Sequence, residues 1–190
     1  MSIIGYVKIV FKPKSDIVAP PFTSKVSRSI VLKCLEDNSY NDLIREIEEA
    51  SSRKPYIFTP IFLGEKPLYK TVKDNVKPLT LKSNINYWFS MSIIGEDRLS
   101  KILDSLMVTG ENVKVLTGSV EIVHSEVKIV KFESLGFKSE NLDAIHVKFI
   151  TPTLLQLPKL KNVKFKEDLR HVLHPIPSLI IYSIAKHWNI

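Results

Sequence analysis

The sequence predicts an α+β fold of the ferredoxin-like kind: a βαββαβ domain with an antiparallel sheet and extra hairpins, followed by a C-terminal helix. Three observations carry that expectation. The first segment alternates as a half-buried strand does, with Val7, Ile9 and Phe11 on one face. Two later segments repeat apolar residues at helical spacing, and the periodic segments run strand, helix, strand, strand, helix, strand. That order is the split βαβ arrangement. It implies helices on one face of the sheet and an opposite face free for a ligand.

Each element has its own reason. Ile4 to Phe11 is the first strand, and Pro13, Pro20 and Pro21 forbid regular structure from there to Phe22. From Ser24, Val26, Ile30 and Cys34 recur at helical spacing with Val31 and Leu35, and Thr23 or Ser24 is placed to cap. Asp42 to Ala50 continues as an acidic second helix. Residues 55–62 read as a strand whose prolines suit a start and an edge or bulge. Residues 67–72 and 76–81 flank Asp74-Asn75 as an expected hairpin. Phe89, Met91 and Ile93 alternate with Ser90 and Ser92, and Leu99, Ile102, Leu103, Leu106 and Met107 follow the i, i+3, i+4, i+7, i+8 pattern of an amphipathic helix. Strand-like runs follow at 113–116, 119–124 and 127–132, then a polar turn at 136–141 and a strand through Ile145, Val147 and Phe149. A final helix is expected from about Ser178, apolar around most of its circumference through Leu179, Ile180, Ile181, Ile184, Ala185 and Trp188.

Composition narrows the class. Of 190 residues, 44% are hydrophobic and 25% charged, an ordinary globular mixture. The single cysteine, Cys34, excludes a disulfide framework within one chain and a cysteine-based zinc site, which fits a reducing cytosol. No apolar run approaches the roughly 20 residues of a membrane helix. The N-terminus already alternates like a strand and reads as neither leader nor anchor, so a cytoplasmic location is expected. Net charge is +7, unevenly placed: 13 Lys and Arg against nine acids in residues 1–80, seven against eight in 81–140, and seven against three in 141–190. Basic chain ends suit a polyanion such as nucleic acid; an excess of this size also serves solubility alone.

Lys25 and Arg28 are the most informative residues. They stand three apart near the start of the first helix, where cations oppose the helix dipole at a cost of about 0.3–1 kcal/mol each. The first-turn N–H groups together with these two side chains would make a phosphate site. Long side chains simply reaching solvent explain them too. Arg53-Lys54-Pro55 is a second basic cluster, with Lys54 held extended by the proline. His146 and Lys148 share a polar strand face. Lys159, Lys161, Lys164 and Lys166 alternate with apolar residues, either as an RNA-facing ribbon or as a protected edge strand. His171 and His174 have only Asp168 nearby, so no metal site and no cofactor are expected. GxxxxGK[ST], GxGxxG, HExxH, GxSxG and the aromatic signature of splicing-type RNA modules are all absent from the sequence.

Four stretches together resemble the CRISPR repeat-processing endoribonucleases of the RAMP superfamily. They are Phe22-Thr-Ser-Lys-Val, the run from Lys54-Pro-Tyr-Ile-Phe to Phe62-Leu-Gly, Val147-Lys-Phe-Ile-Thr-Pro-Thr-Leu-Leu, and His174-Pro-Ile-Pro-Ser-Leu through Trp188-Asn. The resemblance implies two tandem ferredoxin-like domains and metal-independent cutting of CRISPR repeat RNA. A 2′-hydroxyl attacks the adjacent phosphate, leaving a 2′,3′-cyclic phosphate. Many relatives use a histidine near the first helix, but this chain has none before His124. It is similar to the His-less members, in which lysines and arginines carry the site; Lys25, Arg28 and Lys54 fall on the matching catalytic positions. Arg53, His146, Lys148, Lys159 and Lys161 would be RNA-binding. Nothing matches the family's glycine-rich loop near the C-terminus. Residues 1–170 therefore read as the N-terminal ferredoxin-like domain and 171–190 as the start of a second, whose remainder is expected to be absent.

Two function classes stay open: the endoribonuclease, or a non-catalytic RAMP-type subunit that binds RNA within a CRISPR interference complex. The Lys25, Arg28 and Lys54 trio favours the first, and the missing histidine and glycine-rich loop favour the second. The implied partners are CRISPR repeat RNA and either a second copy of the chain or an effector complex, with no membrane. A ferredoxin-like domain with a protein partner alone is the third alternative.

Overall fold

The computed structural model describes residues 3–49, 55–70, 78–109, 111–135, 155–156 and 171–172. The chain divides into two compact units, Met1–Lys138 and Ser139–Ile190. In the first, β1 (Ile3–Pro13), β2 (Ile17–Ala19), α1 (Ser24–Asp37) and α2 (Asn41–Glu48) are followed by β3 (Tyr56–Phe58), β4 (Phe62–Leu63), β5 (Lys66–Pro67), β6 (Leu79–Leu81) and β7 (Tyr87–Ile94). Then come α3 (Glu96–Thr109), β8 (Val113–Val115), β9 (Gly118–Lys131) and a 3₁₀ turn at Phe132–Leu135. In the second unit, β10 (Leu155–Gln156) pairs antiparallel with β11 (His171–Val172).

The main sheet has β1 at its centre. β7 and β9 flank it, β3 and β4 both pair with β7, and every pairing is antiparallel. Taking β1, β3/β4, β7 and β9 as the four framework strands, their order across the sheet is fourth, first, third, second, with α1 and α3 as the two helices. This is the ferredoxin-like βαββαβ domain expected from the sequence. β5 extends one edge and β8 the other.

Alternation decides which face of β1 is covered. Val7, Ile9 and Phe11 are fully buried, whereas Tyr6 on the opposite face is 38% exposed. Phe89, Met91 and Ile93 of β7 continue the covered face, and Val26, Ile30 and Cys34 of α1 with Leu99, Ile102 and Leu106 of α3 close over it. Phe11 packs on Tyr87 and Phe89 with ring centroids 5.9 Å apart in both pairs. Each large apolar side chain taken from water here stabilises the fold by about 1.5–3 kcal/mol. Gly5 lets α3 approach closely, since a Cβ there would lie 2.7 Å from Leu99 Cδ1. Gly95, at φ +109°, makes the turn from β7 into α3 and donates its N–H to Ile3 O.

Four expectations are corrected. The prolines at 13, 20 and 21 do not keep the stretch to Phe22 free of regular structure, since Ile17–Ala19 forms β2 between them. The runs 119–124 and 127–132 are one long strand, β9; a register shift opposite Val10 and Phe11 leaves Val123 as an extra residue and bends it without breaking it. Residues 67–72 and 76–81 do not pair as the expected hairpin in their described parts. Lys66–Pro67 turns back on Phe62–Leu63 through Gly64, whose φ of +57° suits the tight turn, and Leu79–Leu81 pairs instead with Ile17–Ala19. Ile17 and Leu81 are both fully buried, and hiding them together outweighs a local turn signal. Neither Thr23 nor Ser24 caps α1: the Thr23 position has helical dihedrals and makes no side-chain cap hydrogen bond.

The strand around Ile145–Phe149, the lysine ribbon at 159–166 and the C-terminal helix lie outside the described residues. The expected boundary at 170 and 171 falls in the second unit, nearly all of which does too. No helix among the described residues is long and apolar enough to cross a membrane.

Candidate nucleic-acid interface

The start of α1 is built by long-range ties. Pro20 and Pro21 lead into Phe22, which bridges Tyr69 in antiparallel fashion, and the Lys70 N–H donates to Pro21 O at 3.0 Å. Thr23, fully buried, donates its hydroxyl to Leu68 O at 2.6 Å and accepts the Ile61 N–H at 2.9 Å. Its hydroxyl therefore clips the 61–68 segment to the helix. The helix closes its own first turn with Lys25 N–H to Phe22 O, Val26 N–H to Thr23 O and Ser27 N–H to Thr23 O. Those N–H groups are thus engaged within the chain, and the attraction for an anion here rests on side chains.

Lys25 lies opposite the buried stripe of α1, exposed, with no ion pair among the described residues. Arg28 sits on the margin of that stripe, half-buried, and its Nη2 donates to Ile47 O at 3.0 Å. A cation against the last carbonyls of α2 is favoured by the helix dipole, so Arg28 also pins that helix end. The neighbouring carbonyl, Glu46 O, accepts the Tyr56 hydroxyl. The Glu46 carboxylate takes a forked set of bonds from Arg98, Nε to both oxygens at 3.0 Å and Nη2 to Oε1 at 2.7 Å. This bond holds the Arg98 guanidinium above its usual range, and burial, with the Glu46 charge, pushes the Tyr56 phenol up. Arg28, Tyr56 and Arg98, from three elements, converge on the end of α2.

Of the residues singled out in the sequence, Lys25 and Arg28 stand one helical turn apart near the start of α1. Arg53 and Lys54 fall in residues 50–54, which lie outside the described residues, as do His146, Lys148, Lys159 and Lys161. Sequence reasoning missed Tyr56, Glu46 and Arg98, because their partners stand 10 and 52 residues away and no local pattern joins them. It also missed the aromatic group on the uncovered sheet face. There Trp88 stacks on Phe62 at 4.2 Å between centroids, donates Nε1 to Gly64 O, and has Lys8 Nζ 5.5 Å from its ring centre. The alternation of Trp88 with Phe89 was the available signal.

Other chemistry is limited. Cys34 is fully buried in the core, which pushes its thiol up to about 12, far from a reactive thiolate. No group of three or more His, Cys, Asp and Glu side chains placed to hold a metal ion occurs among the described residues. What the start of α1 offers is the positive charge of Lys25 and Arg28 beside the exposed ring of Phe22.

A ferredoxin-like domain with this order of strands is a frame that unrelated proteins share, so the family match decides among them. The Cas6 N-terminal domain family matches residues 6–130, and the chain belongs to the Cas6 family. Solved structures share the fold. A Cas6 product complex is 16% identical with a TM-score of 0.63, over 98% of this chain and 64% of that one. A Cas6-related protein from Pyrococcus furiosus is 14% identical with a TM-score of 0.56, over 96% and 67%. A RAMP protein binding different RNA substrates is 14% identical with a TM-score of 0.54, over 96% and 68%. The chain thus spans about two thirds of the length of these structures, and 56% of a further CRISPR-associated Cas6 protein. No curated protein matches the sequence.

Proposed function

We propose that this protein is a metal-independent endoribonuclease that cleaves CRISPR repeat RNA. The observation that carries the reading is Lys25: an exposed cation without an ion-pair partner among the described residues, on the first turn of α1 in a Cas6-family fold. In the reaction a 2′-oxygen forms a new bond to the adjacent phosphorus while the bond from phosphorus to the 5′-oxygen breaks. The 2′-hydroxyl proton ends on the departing 5′-oxygen, giving a 2′,3′-cyclic phosphate and a 5′-hydroxyl. The phosphorane formed on the way carries more negative charge than the ground state, and cations held in place stabilise it preferentially. Lys25 supplies a positive charge that no acid among the described residues engages. Arg28 supplies the donors that Ile47 O leaves free, and Lys54 is the third candidate. Arg53, His146, Lys148, Lys159 and Lys161 are proposed to bind the RNA strand.

A second reading has one observation in its favour. Arg28 already serves the end of α2, as a structural cation would, and a non-catalytic RAMP-type RNA-binding subunit needs only that. Cleavage assays with repeat RNA in EDTA separate the two. We expect cutting in EDTA that a 2′-deoxy nucleotide at the cleaved linkage abolishes. Cutting that survives this substitution or requires added Mg²⁺ overturns the mechanism, and binding without cutting by the protein as its reading frame encodes it supports the subunit.

A further inference from the structure

We infer that Phe22 and Tyr69 form a stacking subsite for an unpaired RNA base beside the phosphate met by Lys25. The inference rests on the reading of Lys25 above and adds a group that holds a base. Phe22 is 57% exposed, yet its backbone is tied on every side. Two prolines precede it, Tyr69 bridges it, the Lys70 N–H holds Pro21 O, and the Lys25 N–H holds Phe22 O at 3.3 Å. The next residue, Thr23, is buried and bonded on both sides.

An apolar ring left in water on so rigid a mount forgoes the burial that the fold gives Phe11, Phe62 and Phe89. The mount also means that little ordering entropy remains to be lost when a ligand covers the ring. Residues directly opposed across an antiparallel bridge send their side chains to the same side, about 4.5–5.5 Å apart at Cβ, so the half-buried Tyr69 shares the Phe22 surface.

Charge selects the ligand. No acid occurs between Pro20 and Val31, while Lys25 and Arg28 stand within that stretch. Aromatic rings flanked by cations are how single-stranded nucleic acid is held: bases stack on the rings and phosphates meet the charges. A base on Phe22 with its phosphate toward Lys25 uses both groups one helical turn apart.

The test is repeat RNA carrying 2-aminopurine at each unpaired position in turn, bound to the full chain. At one or two positions binding should quench the fluorescence, and Phe22→Ala should restore it and weaken affinity roughly 5- to 100-fold. Phe22→Trp should retain both quenching and affinity, with thermal melts of the two variants matching the wild type. An abasic nucleotide at the quenched position should erase the difference between wild type and Phe22→Ala, which a merely structural role would not do. Equal affinity of wild type and Phe22→Ala for intact RNA overturns the subsite and leaves the ring to a protein partner. Lys25→Ala is the separate control. If it binds and cuts as the wild type does while Phe22 and the base stay coupled, the phosphate reading falls and the stacking stands.

Discussion

Lys8 and Lys12 of the sheet and Lys25 at the start of α1 are treated in opposite ways. Across β1 and β9, Lys8 meets Glu126 at 3.0 Å and Lys12 meets Glu121 at 3.6 Å, each pair lying directly opposite in the register. Lys8 is further placed over Trp88. Lys25 has neither acid nor ring assigned to it. Cross-strand pairs hold charge locally and cancel its field, whereas an unpaired cation keeps its field for an incoming anion. The total of +7 therefore says little about where an anion is met; the pairing says more.

The largest effect belongs to Lys25→Ala. It should slow single-turnover cleavage about 30- to 1000-fold, the 2–4 kcal/mol of a lost transition-state contact, while weakening binding by only about 1 kcal/mol. Lys12→Ala should leave cleavage unchanged within about twofold. Its salt dependence of RNA binding should also match the wild type, where Lys25→Ala lowers the slope by about 0.7. Equal losses in the two variants would erase the distinction between paired and unpaired lysines.

Next comes the clip under Lys25. Thr23→Val keeps the shape but leaves Leu68 O and the Ile61 N–H without their partner, at a cost of about 1–3 kcal/mol in a denaturant melt. Thr23→Ser, which keeps the hydroxyl, should recover most of it. A Thr23→Val protein as stable as the wild type would show that the clip is dispensable.

The smallest effect is a pH dependence on the sheet. Lys8, with a lesser contribution from His124, holds the Glu126 carboxyl below its ordinary value of 4.5. A carboxyl depressed on folding stabilises above its unfolded value, and that contribution fades as pH falls below 4.5 through the folded value. The melting temperatures of wild type and Glu126→Gln should thus differ slightly at neutral pH and converge in acid. Convergence on raising the pH would have the sign wrong. Glu126 is exposed and Lys8 half-buried, so added salt should shrink the difference.

Much of this was legible in one dimension. Residues whose burial follows from period alone, such as Val7, Ile9 and Phe11 or Leu99, Ile102 and Leu106, are where alternation and helical spacing put them. Lys25 was legible too, because its place opposite the apolar stripe is a matter of counting around one helix. Thr23 misled because a threonine ahead of a helix has an obvious local acceptor role, and the segment 61–68, brought in from a distance, claimed the hydroxyl instead.

Local periodicity and steric rules thus settle strand, helix and buried face, since each depends on neighbours within a few residues. Packing settled the rest. Leu79–Leu81 chose Ile17–Ala19 over a nearby hairpin, Arg28 reached the end of a helix 19 residues on, and Arg98 found Glu46 across 52 residues. Hydrogen bonds and ion pairs of that kind depend on which surfaces the core brings together, a sum over the whole domain that no short stretch of sequence contains.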